Sequence, residues 1–248
     1  TKIADKKHRK LESEVFKNAD VTLATSYTDA ENFRKKGANA FCITNGFDVD
    51  ASTTLSMTEE NSKTLPLSNS TTKFTLSYIG VLEQLRNPEI LWETLNDLVQ
   101  ENADFKNDFE LKFVGRLDDK ILQKIESSAL KNNLTNLGYQ THDVALKHMQ
   151  DSTVLLMTNF PQESSKGIIP GKIFEYLATG KTILSFGPKD ADVEKILNET
   201  KAGKHFGYDE KENLKNFILE SYQNWKSGTL NQNAENIEQF SRKNLTQK

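Results

Sequence analysis

The sequence predicts an α/β protein with a mostly parallel sheet. From residue 73 onward, short apolar runs rich in β-branched and aromatic residues alternate with helical patterns. The apolar runs are nearly continuous rather than alternating, which is typical of strands that helices cover on both faces. We therefore expect one large domain whose parallel sheet lies between two layers of helices.

The order of the elements follows from these patterns. Residues 1–46 read as helix, strand, helix and strand, and the last three make a compact βαβ unit with parallel pairing. In the first helix of the larger domain, Asn87 fits the N-cap and Pro88 the first helical position. The other strands are expected at 73–80, 109–115, 134–139, 153–159, 181–187 and 202–208, with helices between them. Residues 51–72 are half Ser or Thr and predict a linker or surface loop, so a domain boundary is expected just before them.

Composition excludes several classes of protein. The 248 residues carry a net charge of −3 without a basic cluster, which argues against a nucleic-acid partner. No apolar run is long enough to cross a membrane, and no signal peptide is visible. The single cysteine, Cys42, cannot form an internal disulfide, in keeping with a reducing cytoplasmic setting. Because the chain opens within a charged helical pattern, we expect it to be a fragment of a longer protein.

The stretch at 166–187 predicts a small-residue loop, a helix and a buried strand. Pro170 fits the first helical position, and Gly180 fits the left-handed residue that ends a helix. Free backbone N–H groups at the helix start can hold an anion such as a diphosphate. One turn later, the Glu175 carboxylate can accept a hydrogen bond from a sugar hydroxyl. Alternatively, the loop is an ordinary connector, and Lys172 and Glu175 form a surface ion pair.

A second loop, after the strand that ends at Gly80, carries Arg86 just before a helix start. A guanidinium suits phosphate because it is planar and permanently charged. In parallel sheets, ligands bind beyond the carboxyl ends of the strands, where this loop and the loop at 160–170 should meet. Arg86 and Lys172 together can neutralise much of a diphosphate, and that charge aids a reaction that breaks its bond to a sugar. Alternatively, Arg86 pairs with Glu83 or Glu89.

Other candidate residues carry a weaker signal. Tyr139, in a third loop, either covers a nucleobase or belongs to the core. Asp190 and Asp192 can contact a sugar, although a helix N-cap is the simpler role for Asp190. The histidines, His205 among them, do not stand at metal-ligand spacing and read as surface or loop residues. Without a G-x-G-x-x-G segment, a NAD-type cofactor is disfavoured.

Five segments together resemble a known enzyme family. They are similar to glycosyltransferases of the two-Rossmann GT-B type, and most of all to family four, whose retaining members use nucleotide-sugars in bacterial surface-polysaccharide synthesis. The resemblance covers nearly the whole chain, and its most specific parts are NGFD at the interdomain hinge and GKIFEYLATGK at the donor site. The segments are NADVTLATSYTDAENFRKKGANAFCITNGFD, LSYIGVLEQLRNPEILWETL, LKFVGRL, LTNLGYQTHDVALKHMQDSTVLLMTN and IPGKIFEYLATGKTILSFG.

The resemblance implies three parts. Residues 1–47 would be the terminal βαβ part of the amino-terminal, acceptor-binding domain. Residues 48–231 would be a Rossmann-like nucleotide-sugar-binding domain that includes the Ser/Thr-rich segment 51–72. Residues 232–248 would form the carboxy-terminal helix that crosses back to the first domain.

The resemblance also implies roles for single residues. Glu175 would bind the nucleotide ribose, the backbone at 169–172 would hold the diphosphate, and Arg86 would stabilise its developing charge. The family often has an arginine at the position of Val81 and a second glutamate at that of Gly167, and Lys172 would replace the missing positive charge. Arg86 and Lys172 are thus the expected catalytic residues. The expected donor-binding residues are Gly80, Tyr139, Gly167, Ile169, Pro170, Gly171, Lys172 and Glu175.

The activity implied by the resemblance is that of a hexosyltransferase without a cofactor or a metal ion at the diphosphate. A glycan or lipid-linked acceptor would bind the missing part of the amino-terminal domain. The enzyme would be cytoplasmic, and any contact with a membrane would also be made by that missing part. The chain by itself is expected to bind donor nucleotide weakly and to transfer no sugar. Two alternatives stay open. One is a GT-B-type nucleotide-sugar epimerase, and the other is a non-catalytic interaction module with Arg86 and Lys172 in surface ion pairs.

Overall fold

A computed structural model of the chain describes residues 2–48, 73–230 and 234–247. The Ser/Thr-rich segment predicted at 51–72 lies outside the described residues. Within them, the chain forms a small amino-terminal unit and a larger sheet domain.

The amino-terminal unit contains α1 (Lys2–Asn18), β1 (Thr22–Ala24), α2 (Tyr27–Lys35) and β2 (Ala40–Cys42). Strands β1 and β2 pair in parallel, which confirms the predicted βαβ unit. The buried side chains of Ala24, Ala30 and Ala40 let α2 pack closely on the two strands.

The larger domain is built on one parallel sheet. Its described strands are β3 (Phe74–Ile79), β4 (Phe109–Val114), β5 (Leu134–Asn136), β6 (Val154–Thr158), β7 (Thr182–Phe186) and β8 (Gly203–Phe206). Their order across the sheet is β5-β4-β3-β6-β7-β8, and every neighbouring pair is parallel. The chain starts at β3, moves outward to β5 and returns to β6 on the other side of β3. The topological switch point therefore lies between β3 and β6.

Helices cover both faces of this sheet, as predicted. They are α3 (Glu89–Glu101), α4 (Ala103–Asp108), α5 (Asp119–Glu126), α6 (His142–Gln150), α7 (Lys172–Ala178), α8 (Asp192–Thr200) and α9 (Lys211–Lys226). One buried cluster joins the sheet to α3, α4, α5 and α9, and a second joins it to α6, α7 and α8. Strands β6 and β7 contribute to both clusters, with Leu156 and Leu184 in the first and Leu155 and Ile183 in the second, which explains the continuous apolar runs of these two strands.

Two helix starts differ from the prediction. Helix α3 begins at Glu89 with Pro88 as its N-cap, so Asn87 is not the cap. The Asn87 carboxamide oxygen instead accepts a hydrogen bond of 2.6 Å from the Trp92 indole N–H. Helix α7 begins at Lys172 after Gly171, so Pro170 precedes the helix and does not occupy its first position.

The carboxy-terminal residues lie against the end of the amino-terminal unit. A 3₁₀ turn (Ile237–Phe240) and a short helix, α10 (Arg242–Leu245), follow one another there, so the described part of 232–248 does not form the single helix that was predicted. Phe47 and Ser241 form a parallel bridge, and Arg242 pairs with Asp48 at 2.6 Å. Gly46 is needed at this contact, because a Cβ at that position would lie 2.3 Å from the Phe240 carbonyl oxygen.

Candidate functional site

The candidate site lies at the carboxyl ends of β3, β4 and β6, beside the switch point. Three glycines with positive φ follow neighbouring strands: Gly80 (+117°), Gly115 (+125°) and Gly138 (+63°). The Gly80 N–H donates to the Val114 carbonyl and the Gly115 N–H donates to the Gly138 carbonyl, both at 2.7 Å. The backbone at this edge is therefore closely packed, and the three glycines place no side chains of their own over it.

Lys172 reaches this edge from the start of α7. Its Nζ donates a hydrogen bond of 3.1 Å to the Ile79 carbonyl and lies 4.3 Å from the centroid of the Tyr78 ring. A Cβ at Gly80 would be 3.4 Å from the same Nζ. Among the described residues no carboxylate pairs with Lys172, so the surface ion pair with Glu175 that was an alternative does not form. The ammonium thus lies beside bare backbone at the end of β3 with its charge uncancelled.

Arg86 reaches the same backbone from the loop after β3. Its Nη2 donates to the Val81 carbonyl at 3.0 Å and lies 3.4 Å from the Glu83 carboxylate. The guanidinium also lies 5.4 Å from the centroid of the Phe160 ring, in the loop after β6. Arg86 therefore forms the ion pair with Glu83 that was one alternative. It also lies where the loop after β3 meets the loop after β6, as the other alternative requires.

Arg86 carries one buried nitrogen that lacks a partner among the described residues. Its Nε is buried and has no hydrogen-bond acceptor among the described residues. A buried unpaired donor on a charged group is unfavourable in the free protein.

The loop between β6 and α7 is held in shape by Asn159, which is almost fully buried. The Asn159 side-chain amide donates to the Ile168 carbonyl at 2.9 Å, and its oxygen accepts from the Phe160 N–H at 2.9 Å. Tyr208, from the loop after β8, donates to the Asn159 carbonyl as well. These bonds place residues 166–171 over the end of the sheet.

Within that loop, the predicted diphosphate-binding amides are available. In the described part of the chain, the N–H groups of Ile169, Gly171 and Lys172 have no hydrogen-bond acceptor. Pro170 separates two of them and has no N–H of its own. Helix α7 has only seven residues, so its dipole is weaker than that of a long helix.

Glu175 lies one turn into α7 and is partly exposed. Its carboxylate makes no hydrogen bond or ion pair with another described residue, so it is free to accept a hydrogen bond from a ligand.

Gly167, which was expected among the donor-binding residues, has neighbours from the amino-terminal unit. A Cβ there would be 3.1 Å from the Thr28 side chain and 3.2 Å from Ser26 Oγ, so Gly167 lies against the amino-terminal unit.

Four weaker predictions have clear outcomes. Tyr139 is 85% exposed, which excludes the core and leaves the ring open to solvent near Gly138. Asp190 does not cap α8, because Ala191 is the N-cap. Asp192 is fully buried and bonded to Thr28, so it does not face a ligand. His205 is buried in β8 rather than exposed, with its two ring nitrogens 3.0 Å from Ser185 Oγ and 3.1 Å from the Pro188 carbonyl.

Sequence reasoning missed the residues that support the site. Tyr78, Asn159 and Tyr208 lie at or just after strand ends and bind loop carbonyls from there. Their position in the sequence could have identified them. A polar side chain at the carboxyl end of a buried strand lies next to the loops that follow the strands and can bind their backbone. Burial raises the pKa of Tyr208, so its hydroxyl is a proton donor to these carbonyls at neutral pH.

The described residues contain neither a candidate metal site nor a membrane-spanning helix. No group of three or more histidine, cysteine or acidic side chains is arranged to hold a metal ion. None of the described helices has the length and apolar character needed to cross a membrane.

Comparison with known proteins gives structural matches only. No family model and no curated protein sequence matches the chain. Among solved structures, Anabaena HepE in complex with UDP matches with a TM-score of 0.67 and 18% identity over 94% of this chain. S. aureus TarM, as a mutant with UDP, α-GlcNAc-glycerol and fondaparinux, matches with a TM-score of 0.66 and 16% identity over 97% of the chain.

A third match is the lipopolysaccharide outer core galactosyltransferase WaaB, with a TM-score of 0.62 and 13% identity over 92% of the chain. The chain spans 63% of HepE, 45% of TarM and 60% of WaaB. At these identities the likeness concerns the fold. The chain therefore has the Rossmann-like fold of GT-B glycosyltransferases, with a mostly parallel sheet and helices on both faces.

Proposed function

We propose that this chain is the donor-binding part of a retaining, family-four-like glycosyltransferase. The enzyme would transfer a hexose from a nucleotide-sugar to a glycan or lipid-linked acceptor in surface-polysaccharide synthesis. The observation that carries the proposal is the meeting of two cations, Lys172 and Arg86, on the bare backbone that follows β3 at the switch point. Both HepE and TarM, which share the fold, were solved with UDP.

In this proposal the diphosphate lies between the two cations. Lys172 and Arg86 stabilise the charge that develops on the diphosphate as its bond to the sugar breaks. The free N–H groups of Ile169, Gly171 and Lys172 bind the phosphate oxygens. No metal ion or cofactor is needed in this arrangement, because the protein cations supply the positive charge.

The remaining donor contacts are assigned to three residues. The Glu175 carboxylate accepts hydrogen bonds from the ribose hydroxyls, and the exposed Tyr139 ring covers the base. Gly80 lets the phosphate approach the backbone closely. The same proposal takes residues 1–47 as acceptor-domain residues, 48–231 as the donor domain and 232–248 as the returning segment. It also places the enzyme in the cytoplasm, with nucleotide-sugars as its donor substrates.

Two observations favour this proposal over its alternatives. An epimerase needs acid and base side chains in the cleft, but His205 is buried and its ring nitrogens already have partners in Ser185 and Pro188. An interaction module with paired surface cations is disfavoured because Lys172 has no carboxylate partner among the described residues.

Thermal unfolding with nucleotides tests the proposal. Ligand at about ten times its Kd stabilises the folded state by about 1.4 kcal/mol, which raises Tm by about 3–6 °C in a domain of this size. We expect UDP or GDP at millimolar concentration to produce this shift and Glu175→Ala to reduce it. Glu220→Ala, which removes an exposed glutamate of α9, is the matched control. Absence of any nucleotide-dependent shift would contradict the proposal.

A further inference from the structure

Tyr78 contacts Lys172 directly and shares a carbonyl acceptor with Arg86. Lys172 Nζ lies over its ring, 4.3 Å from the centroid, and its hydroxyl donates to the Val81 carbonyl at 2.9 Å. Arg86 Nη2 donates to the same carbonyl at 3.0 Å. We propose that Tyr78 is a positioning residue that fixes Lys172 and Arg86 for nucleotide binding. Its role in binding rests on the proposed function, whereas its hold on Lys172 can be measured without a nucleotide.

The ring holds Lys172 without cancelling its charge. A carboxylate partner would fix the ammonium equally well but would neutralise it and compete with a phosphate. The Tyr78 ring face and the Ile79 carbonyl are neutral acceptors, and both attract a cation. Lys172 is therefore placed without a carboxylate partner when an anion arrives.

Fixing Lys172 in the free protein matters because lysine has a long, flexible side chain. Ordering such a side chain at the moment of binding reduces affinity, and ordering it beforehand removes this loss. Lys172 is held on two sides, by the ring and by the Ile79 carbonyl, and Gly80 leaves a third side open. The open side is where the ammonium can donate to a phosphate.

The Tyr78 hydroxyl acts on the second cation through Val81. Carbonyl oxygens have two lone pairs, and in Val81 one is taken by Tyr78 and the other by Arg86. The Tyr78 bond fixes the carbonyl on which the guanidinium is anchored. Tyr78→Phe removes this bond and leaves the ring under Lys172, so the two effects can be separated.

A purely structural role is the competing explanation, because Tyr78 is 1% exposed and also packs against Phe113. Tyr222 provides the matched control. It is equally buried, its hydroxyl bonds to Asp108 at 2.6 Å, and it packs on Phe74 at the other end of β3. Tyr222→Leu should lower stability as Tyr78→Leu does, without any effect on Lys172.

The first test measures Lys172 in the nucleotide-free chain. Protons on Lys172 Cε that lie over an aromatic ring show an upfield ring-current shift in NMR, and Lys172→Met identifies the signal by removing it. We expect the shift to persist in Tyr78→Phe and Tyr222→Leu and to vanish in Tyr78→Leu. A shift that survives in folded Tyr78→Leu would overturn the proposal.

The second test is UDP binding by titration calorimetry. We expect Tyr78→Leu to weaken binding about tenfold and Tyr78→Phe about threefold, with no change in Tyr222→Leu. Combining Tyr78→Leu with Lys172→Met should weaken binding only about threefold beyond Lys172→Met alone, because the ring acts through Lys172 and only the hydroxyl's effect on Arg86 remains. Fully additive losses, or equal losses in Tyr78→Leu and Tyr222→Leu, would overturn the positioning role. A wild-type chain that has the ring-current shift but binds no UDP would overturn the proposed function instead.

Discussion

Asp192 accepts two hydrogen bonds from Thr28, one from the backbone N–H and one from the hydroxyl, both at 2.8 Å. The two residues are 164 positions apart in the chain. Asp192 begins α8 of the sheet domain, is fully buried and has Lys195 3.2 Å away, whereas Thr28 lies in the first turn of α2. The pair therefore ties the amino-terminal unit to the sheet domain beside Gly167.

We predict that Asp192→Ala lowers the free energy of unfolding by about 3 kcal/mol. The change removes two hydrogen bonds to a charged acceptor and leaves the Thr28 N–H without a partner. Thermal unfolding measures the loss. Thr28→Ser keeps both bonds and should stay close to wild type, whereas Thr28→Val should lose part of the stability. A Tm of Asp192→Ala equal to that of wild type would contradict this account.

The second prediction concerns pH. Burial lowers the pKa of His205 below its ordinary value of 6.5, so the neutral ring is favoured in the folded state. Between the two pKa values the unfolded chain binds more protons than the folded chain, and stability therefore falls as the pH drops below 6.5. We expect Tm to decrease from pH 7 to pH 5 in wild type and to decrease less in His205→Asn. Parallel Tm profiles for the two proteins would rule out this assignment.

The third prediction concerns the competition for Arg86. Glu83 lies 3.4 Å from Arg86 Nη2 and is largely exposed, so it partly neutralises the cation that the proposed function assigns to the diphosphate. We expect Glu83→Gln to strengthen UDP binding about twofold, in the range of exposed ion pairs. Glu220→Gln changes the net charge by the same amount far from the site and should have no effect. Calorimetry measures the affinity for UDP. Equal affinities of Glu83→Gln and wild type would argue against a competition between Glu83 and the diphosphate for Arg86.

The fourth prediction compares two glycines with positive φ at the strand ends, one crowded and one open. A Cβ at Gly115 would lie 2.2 Å from the Gly80 carbonyl oxygen, and φ there is +125°. We expect Gly115→Ala to lower the free energy of unfolding by about 3 kcal/mol or more.

Gly138 is the control, because its φ is +63° and no atom lies within 4 Å of an added Cβ. Gly138→Ala should therefore lower the free energy of unfolding by only about 1–2 kcal/mol, from strain alone. Urea unfolding compares the two variants, and equal losses would show that contact with Gly80 is unimportant.

The fold could be predicted from sequence because its signals are local. Apolar runs, helical periodicity and the glycines at strand ends each report on a few neighbouring residues, and together they predicted the parallel sheet. The same reasoning predicted that Arg86 and Lys172 lie at one edge of the sheet, because the carboxyl ends of parallel strands lie together.

The errors come from side-chain partners that the local pattern does not specify. Asn87 has the chemistry of an N-cap, but its oxygen binds the Trp92 indole. His205 lies in a polar stretch, yet Ser185 and Pro188 bury it in the sheet. Tyr78 reads as a core residue within its strand, and its contact with Lys172 spans more than 90 residues. Local patterns carry no information about such partners.

The neutral surroundings of Lys172 have a consequence for the kinetics of binding. The chain has a net charge of −3, so a nucleotide far from the molecule meets weak repulsion rather than attraction. The field of Lys172 and Arg86 is screened over about 8 Å at physiological ionic strength. Capture therefore begins only when the phosphates are already near the end of β3. The association rate should depend less steeply on salt than it does for a basic protein, and the local field should turn the phosphates, rather than the base, toward the sheet.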